Sequence, residues 1–362
     1  MAVTVRLDGT SSLVLPTLSP LAELGAALHV LTRLDHHLFL ADWRTRVLGR
    51  LPGPLDRERV ALEFLWDGYR ANFLLVVSDA LPPVRTLDDE LAALAAVPTE
   101  QLTTEALQPL GTRLGENLSP GHRPGEGPDQ LLSHARARGP AVEDVARGLL
   151  EDPARVQRRL VDFLAGCRDA FFGEEWAGLR PTLARSVDEA TRLLEARGPT
   201  ALLAGLGHGV RASDDDVVID KSFTATMAPS PDQPLHLVPS LLCHPHVIAQ
   251  PNPRWPLCLQ YPVHRRAPTG GLPPLEVTAA RLEALADPTR LRLAALLANE
   301  ARSTRELAGL TGLTEPTVSR HLTVLREAGL VEVRQQGHFR LHDLDLDVVG
   351  DLGHALRASL LR

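Results

Sequence analysis

Lysine is almost missing from this chain of 362 residues: Lys221 is the single one, and arginine supplies the remaining positive charge. The bias fits a GC-rich genome and assigns no mechanism. Cysteine is scarce as well. Cys167, Cys243 and Cys258 are too few and too scattered for a disulfide framework, which points to a reducing compartment. No apolar run reaches membrane-spanning length, and the opening MAVTVRLDGT has neither the basic nor the apolar part of a signal peptide. A cytoplasmic protein with no membrane partner is therefore expected. Enzyme signatures are wanting too: there is no GxSxG, HExxH or Walker loop, and the glycine turn Gly205 to Val210 stands in the wrong context for a dinucleotide. The expectation is a non-enzyme with no cofactor.

What is present describes a globular chain. A hydrophobic content of 44% with 23% charged residues leaves room for two or three domains. Val3 to Leu7 and Leu13 to Leu15 flank Asp8 and Gly9 as in a hairpin. Ser19 as cap and Pro20 as first helical residue open an apolar run through Leu31. Further helical patterns cover His37 to Leu51, Asp56 to Tyr69, Asp88 to Ala96, Thr99 to Leu114, Pro153 to Phe172 and Pro181 to Ala196. Gly115 to Asp129, rich in Gly and Pro, is a loop. After Gly198 the segments turn short and β-leaning: Val217 to Ile219, Phe223 to Met227, Leu235 to Val238, Cys243 to Ala249 and Leu257 to Tyr261. APTGGLPP, residues 267–274, holds three prolines and two glycines and reads as a linker. The expected class is α+β, a large, mainly helical domain over 1–266 with a short-stranded β portion, then a C-terminal domain over 275–362.

Ser303 to Val331 carries the clearest functional pattern. Leu307, Ala308 and Leu310 mark a short helix, Gly312 a turn, and Leu313 the plug between two helices. Thr314 can cap the second helix, Pro316 is tolerated in its first turn, and Gly329 ends it. On a helical wheel Val318, Leu322 and Leu325 form a buried seam. Pro316, Ser319, Arg320 and Thr323 face outward with Thr317 on the shoulder, a short polar surface of the kind a major groove accepts. Leu330 to Val333 and Phe339 to His342 can pair as a wing around Arg334, Gln335, Gln336, Gly337 and His338. The net charge of −7 looks awkward beside this, but Arg302 to Arg340 holds six Arg against four Glu. A local basic patch on an acidic chain suits site-dependent DNA binding with little non-specific affinity.

The segment Ala284 to Asp345, with ALADPTRLRLAALL, TVSRHLTVLREAGLV and the wing in order, resembles the winged-helix domain of the ArsR family of bacterial transcriptional regulators. The resemblance implies a winged helix-turn-helix that binds double-stranded DNA as a homodimer. It places Thr314, Pro316, Thr317, Ser319, Arg320, His321 and Thr323 of the helix, and Arg334, Gln335, Gln336, His338 and Arg340 of the wing, at the DNA. Leu235 to His264 and the opening Ser19 to Leu31, with Asp42 and Trp43 after it, are similar to the DUF5937 domain found before such winged helices. That implies a large domain of unknown role fused to the DNA reader.

Leu346, Val349, Leu352, Leu356 and Leu360 recur at helical spacing, and this last helix is expected to be the dimerisation helix, the alternative being that it packs back onto its own domain. No metal is expected. Arg305 to Gly309 lack the cysteine pair of a thiolate sensor, Asp351 with His354 is a thin ligand set, and Cys243, His244, His246 and Cys258 read better as core and strand-end residues. The run Asp214 to Asp216 reads as a solvated turn. His36, His37, Asp42 and Trp43, with Trp66 and Tyr69, are polar or amphipathic residues in apolar surroundings and are candidates for a ligand pocket. The expected function is a sequence-specific transcriptional regulator, a repressor released by an unknown small-molecule or protein effector. The alternative is an N-terminal enzyme or structural oligomerisation module that the winged helix targets to DNA.

Overall fold

The computed structural model describes residues 1–7, 13–33, 37, 40–68, 70–110, 127–206, 210–213, 216–221, 223–243, 246–263, 274–298, 301–336, 339–350, 352 and 355–356. The chain forms two compact units, Met1–Val263 and His264–Arg362. Of the expected linker only Pro274 lies within the described residues. The class is α+β.

The first unit opens with strands β1 (Ala2–Arg6) and β2 (Val14–Pro16) and helices α1 (Pro20–Thr32), α2 (Ala41–Leu48) and α3 (Gly53–Leu62). Helices α4 (Leu87–Ala96), α5 (Thr99–Leu107), α6 (Pro128–Arg138), α7 (Pro140–Glu151) and α8 (Pro153–Cys167) follow. A π-helical turn at Arg168–Phe172 leads into α9 (Gly173–Ala204), which is interrupted at Gly198, where φ is 77°. Strands β3 (Val210–Ser213), β4 (Asp216–Asp220), β5 (Ala225–Met227), β6 (Leu235–Ser240), β7 (Ile248–Gln250) and β8 (Leu257–Pro262) complete the unit.

The expected hairpin between the first two strands does not form. β1 pairs antiparallel with β4 and parallel with β5, in a sheet of order β3-β4-β1-β5, whereas β2 joins a second sheet of order β2-β6-β8-β7. Each strand finds its partner about two hundred residues away, where the apolar faces can share one core with α9: Val3, Val5, Leu194, Leu203, Val217, Ile219, Leu237 and Leu259 lie in a single cluster. Cys243 is not on a strand as expected; it sits in the bend after β6, and the next strand starts at Ile248. Helices α6 and α7 fall where no helix was expected, though Val142, Val145, Ala146 and Leu149 of α7 bury one stripe.

Helix α1 is the centre of this unit. Eleven of its thirteen residues are buried, from Pro20 to Leu31, so it presents apolar surface on every side. Such a helix needs partners for its polar groups. Ser19 Oγ accepts from Ala22 N at 3.0 Å and donates to Glu90 Oε1 at 2.6 Å, while Glu90 Oε2 accepts the Leu21 N–H at 2.6 Å. One turn on, Glu23 Oε1 accepts from Leu241 N at 3.0 Å, and Gln260 Nε2 donates to Ala22 O at 3.1 Å while its Oε1 accepts from Arg70. At the far end Trp66 Nε1 donates to Thr32 Oγ1 at 3.0 Å. Burial pushes both Glu23 and Glu90 up to about 7.

The second unit holds α10 (Leu275–Ala286), α11 (Pro288–Leu297), β9 (Arg302–Ser303), α12 (Thr304–Thr311), α13 (Glu315–Glu327), β10 (Val331–Gln336), β11 (Phe339–Leu344) and α14 (Leu346–Gly350). Its three-stranded sheet runs β10-β11-β9, with Gln335 opposite Arg340 and Gln336 opposite Phe339. Leu352 is buried in this unit's own core, with Val348 and Val349 against it. Leu360 lies outside the described residues.

A buried acid with a raised folded pKa adds stability that is complete below its unfolded value and is lost as pH rises through the folded value. For Glu90 the window runs from about 4.5 to about 7. His29, pushed down to about 3 by burial and then by Arg70, changes stability in the opposite sense below its ordinary value. Comparison with Glu90→Gln cancels the histidine. Denaturant unfolding should show the wild-type chain losing up to about 3 kcal/mol relative to Glu90→Gln between pH 4.5 and 8; a constant difference would mean that Glu90 is ionised throughout.

Candidate nucleic-acid interface

Helix α12 starts with a reciprocal cap. Ser303 Oγ accepts from Glu306 N at 3.3 Å, and Glu306 Oε2 accepts from Ser303 N at 2.7 Å. The sequence S-x-x-E announces this box, which helical periodicity does not reveal. Leu307 is buried, but Leu310 is 49% exposed and is no part of the helix's inner face. The turn passes through Gly312 at φ 72°, and Leu313 packs half-buried against the core. Thr314 occupies the cap position of α13 without making a side-chain capping bond; its Oγ1 lies 2.9 Å from Thr317 Oγ1 instead. At the other end Leu330 N donates to Leu325 O at 2.9 Å and Gly329 N to Arg326 O at 2.9 Å, a double closure that needs the positive φ of Gly329, 69°.

Val318, Leu322 and Leu325 of α13 are 0%, 2% and 0% exposed, so the seam is fixed and the opposite face follows from it. Thr314, Pro316, Ser319 and Arg320 are exposed, and Thr317 and Thr323 are half-buried. Thr323 Oγ1 donates to Ser319 O at 2.9 Å, which leaves its oxygen able to accept. The Arg320 guanidinium has no carboxylate partner among the described residues. Glu315 is exposed at the start of the same helix.

His321 has a different position from its neighbours. It is half-buried, with Nδ1 4.0 Å from Asp287 Oδ1. Asp287 also accepts from Arg290 N at 2.9 Å as the cap of α11, and this bond, followed by the Arg290 and His321 charges, holds its carboxyl below the usual range. His321 therefore faces α11 and positions α13, a role that its place in the motif did not reveal. In the wing, Arg334, Gln335 and Gln336 belong to β10 and not to a loop, Arg340 is exposed on β11, and His338 lies outside the described residues. His342 Nε2 lies 3.2 Å from Thr304 Oγ1, which ties the wing to the start of α12.

Four of the six residues expected to line a ligand pocket lie within the described residues. His36 and Tyr69 lie outside the described residues. Trp66 is fully buried and stacks on Phe163 with ring centroids 5.7 Å apart, so it fills core. Trp43 is half-buried and donates Nε1–H to Glu175 at 2.9 Å, Asp42 is exposed, and the His37 ring is edge-on to His29 and His246 at 5.2 and 5.9 Å. Cys243 and Cys258 are buried among apolar side chains; burial pushes the Cys243 thiol up to about 12 and raises that of Cys258 as well. No group of three or more His, Cys, Asp or Glu among the described residues could hold a metal ion. His244, Asp351, His354, Asp214 and Asp215 are outside those residues.

Residues 287–333 match the family model of bacterial regulatory proteins of the arsR family, and residues 1–267 match a family of unknown function, DUF5937. The biofilm growth-associated repressor of Agrobacterium fabrum (strain C58) is 38% identical over 91 residues, which cover 24% of this chain and 78% of that protein. The chain belongs to the arsR family and, over its first unit, to DUF5937. A probable mercury resistance operon repressor of Streptomyces lividans is 39% identical over 62 residues, 17% of this chain and 50% of the relative. Among solved structures, the homodimeric winged helix-turn-helix DNA-binding domain of a possible ArsR-family regulator from Mycobacterium bovis is 30% identical, covers 24% of this chain and 83% of that one, and has a TM-score of 0.21. This arsR-family chain is a DNA-binding transcriptional regulator.

Arg320 and Arg340, both exposed, should separate in a binding assay. Arg320→Ala is expected to cost about 1 to 3 kcal/mol at the operator and to weaken discrimination between sequences, whereas Arg340→Ala should weaken all sequences alike and flatten the salt dependence by about one unit of slope. Wild-type affinity and selectivity in Arg320→Ala would rule out α13 as the reading helix.

Proposed function

We propose that the chain is a cytoplasmic, homodimeric repressor whose first unit binds an effector and carries no catalysis of its own. The observation that carries this reading is the outward face of α13, where Arg320 stands exposed beside Ser319 and the hydroxyls of Thr317 and Thr323. Short polar side chains let a helix approach base edges closely, and the arginine supplies the bidentate donor that guanine accepts. No helix among the described residues is long and apolar enough to cross a membrane.

A second copy of the chain is the natural cover for α10. Of its twelve residues only Thr278 and Ala284 are buried, while Leu275 and Leu282, two turns apart on one stripe, are 49% and 37% exposed. Covering such leucines in a dimer would gain about 25 cal/mol per Å² of apolar surface removed from water. Against catalysis stands the burial of a constellation with the form of a nucleophilic triad. Thr17 Oγ1 lies 2.8 Å from His236 Nδ1, and His236 Nε2 lies 2.8 Å from Asp79 Oδ1, but Thr17 and His236 are 0% exposed and no substrate can reach the hydroxyl. An effector that lowers operator affinity a hundredfold must favour the DNA-free form by about 2.7 kcal/mol.

A reporter fused to the promoter of the chain's own gene tests the reading. Expression of the protein should lower the transcript, and Leu275→Glu with Leu282→Glu should give a monomer by sedimentation that no longer does so. Unchanged or increased transcription with the wild-type chain would contradict repression, and a dimeric double variant would contradict the α10 contact.

A further inference from the structure

Pro316, Arg320 and Val324 stand four residues apart on the outward face of α13. Four residues carry a helix about 40° past a full turn and advance it by about 6 Å, so these side chains form one stripe with the arginine between two apolar neighbours. All are exposed, Val324 at 36%. A single exposed valine is ordinary on a protein surface. This one is set apart by its position: α13 gives Val318, Leu322 and Leu325 to the core, whereas Val324 takes no part in that cluster and flanks the reading arginine instead.

The hydroxyls beside the stripe are already engaged within the helix. Thr323 Oγ1 donates to Ser319 O at 2.9 Å, and Thr317 Oγ1 lies 2.9 Å from Thr314 Oγ1. The surface around Arg320 is therefore less polar than its residue types suggest. At the far end Glu327 is exposed in the last turn, and its carboxylate would be repelled by phosphate, so the stripe suited to DNA ends before it.

In the major groove only thymine presents an apolar group, its 5-methyl, while guanine presents the paired acceptors that an arginine fork fits. Against the amino group of adenine or cytosine, a valine or proline would strip water from a donor and return no bond. Against a methyl group, the same contact removes apolar surface from water on both sides. A guanidinium flanked by apolar carbon is thus complementary to a guanine flanked by thymine. The advance of about 6 Å between neighbours in the stripe matches roughly two base steps of about 3.4 Å.

We propose that Val324 and Pro316 set sequence preference by reading thymine methyl groups, on either strand, within about two base pairs of the guanine taken by Arg320. The inference rests on α13 being the helix in the major groove and adds which bases that helix selects.

Binding sites selected by the full-length chain from random duplex DNA, followed by replacement of single thymines with uracil, test it. Each half-site should hold a guanine with thymine on one strand or the other within about two base pairs. Uracil pairs as thymine does but lacks the methyl, and at one or more of these positions it should weaken wild-type binding about fourfold, the worth of one buried methyl group. Val324→Ala or Pro316→Ala should bind thymine and uracil equally at the position concerned; both side chains are exposed, so each variant should fold as the wild type does. Uracil also alters the shape and stiffness of the duplex, but an effect of that origin would persist in both variants. Uracil without effect at every position, or an effect that survives unchanged in both variants, overturns the inference. Arg320→Ala separates the two levels. Selectivity lost in that variant while uracil is neutral removes only the thymine contact, whereas wild-type selectivity in Arg320→Ala overturns the placement of α13 and the thymine contact together.

Discussion

A helix that is apolar on all sides has no stable place except inside, and α1 imposes that condition on the first unit. Burying Leu21, Leu24, Leu28 and Leu31 at once requires neighbours in every direction, and these come from helices, turns and strand β6 of the β2-β6-β8-β7 sheet. It also requires partners for the polar groups taken in. Ser19 and Glu90 supply them at the first turn, Gln260 reaches Ala22 O, and Glu23 in return accepts from the backbone after β6. Residues from three distant parts of the chain, at Glu90, Leu241 and Gln260, are thus tied to one helix. The cost is two buried carboxyls whose ionisation the fold resists.

The second unit follows the same logic on a smaller scale, with a different result. Here the core is built from one stripe of each helix, and α13 gives it only Val318, Leu322 and Leu325. Because the seam is narrow, the opposite surface is wide and free for recognition. The supports of that surface are polar: Asp287 holds both the start of α11 and the inward ring of His321, and Thr304 meets His342 at the base of the wing. His321 thus helps to fix where α13 lies against α11.

Much of this second unit was legible in the sequence because its contacts are local. The seam of α13, the turn at Gly312 and the stop at Gly329 depend on residues within a few turns of one another, and helical spacing reveals them directly. What failed there was finer: Leu310 fits the spacing but points outward, and Thr314 has the right type for a cap yet bonds Thr317. In the first unit, local patterns misled. Val3 to Leu7 and Leu13 to Leu15 have every feature of a hairpin, but the faces they must cover lie near Val217 and Leu237, and only the folded chain brings those together. The aromatic and polar residues picked for a pocket were judged by type; Trp66 fills core because Phe163, almost a hundred positions on, stacks against it.

The central claim is that the outward face of α13 reads base edges in the major groove. Methylation interference on the operator tests it most directly, because guanine N7 lies in that groove and a methyl group there blocks both the acceptor and the space. The account predicts interference at guanines in two half-sites about 10 base pairs, or a multiple of that, from centre to centre, as a dimer with two reading helices requires. Interference confined to adenine N3 in the minor groove, or a single unphased patch, would contradict it.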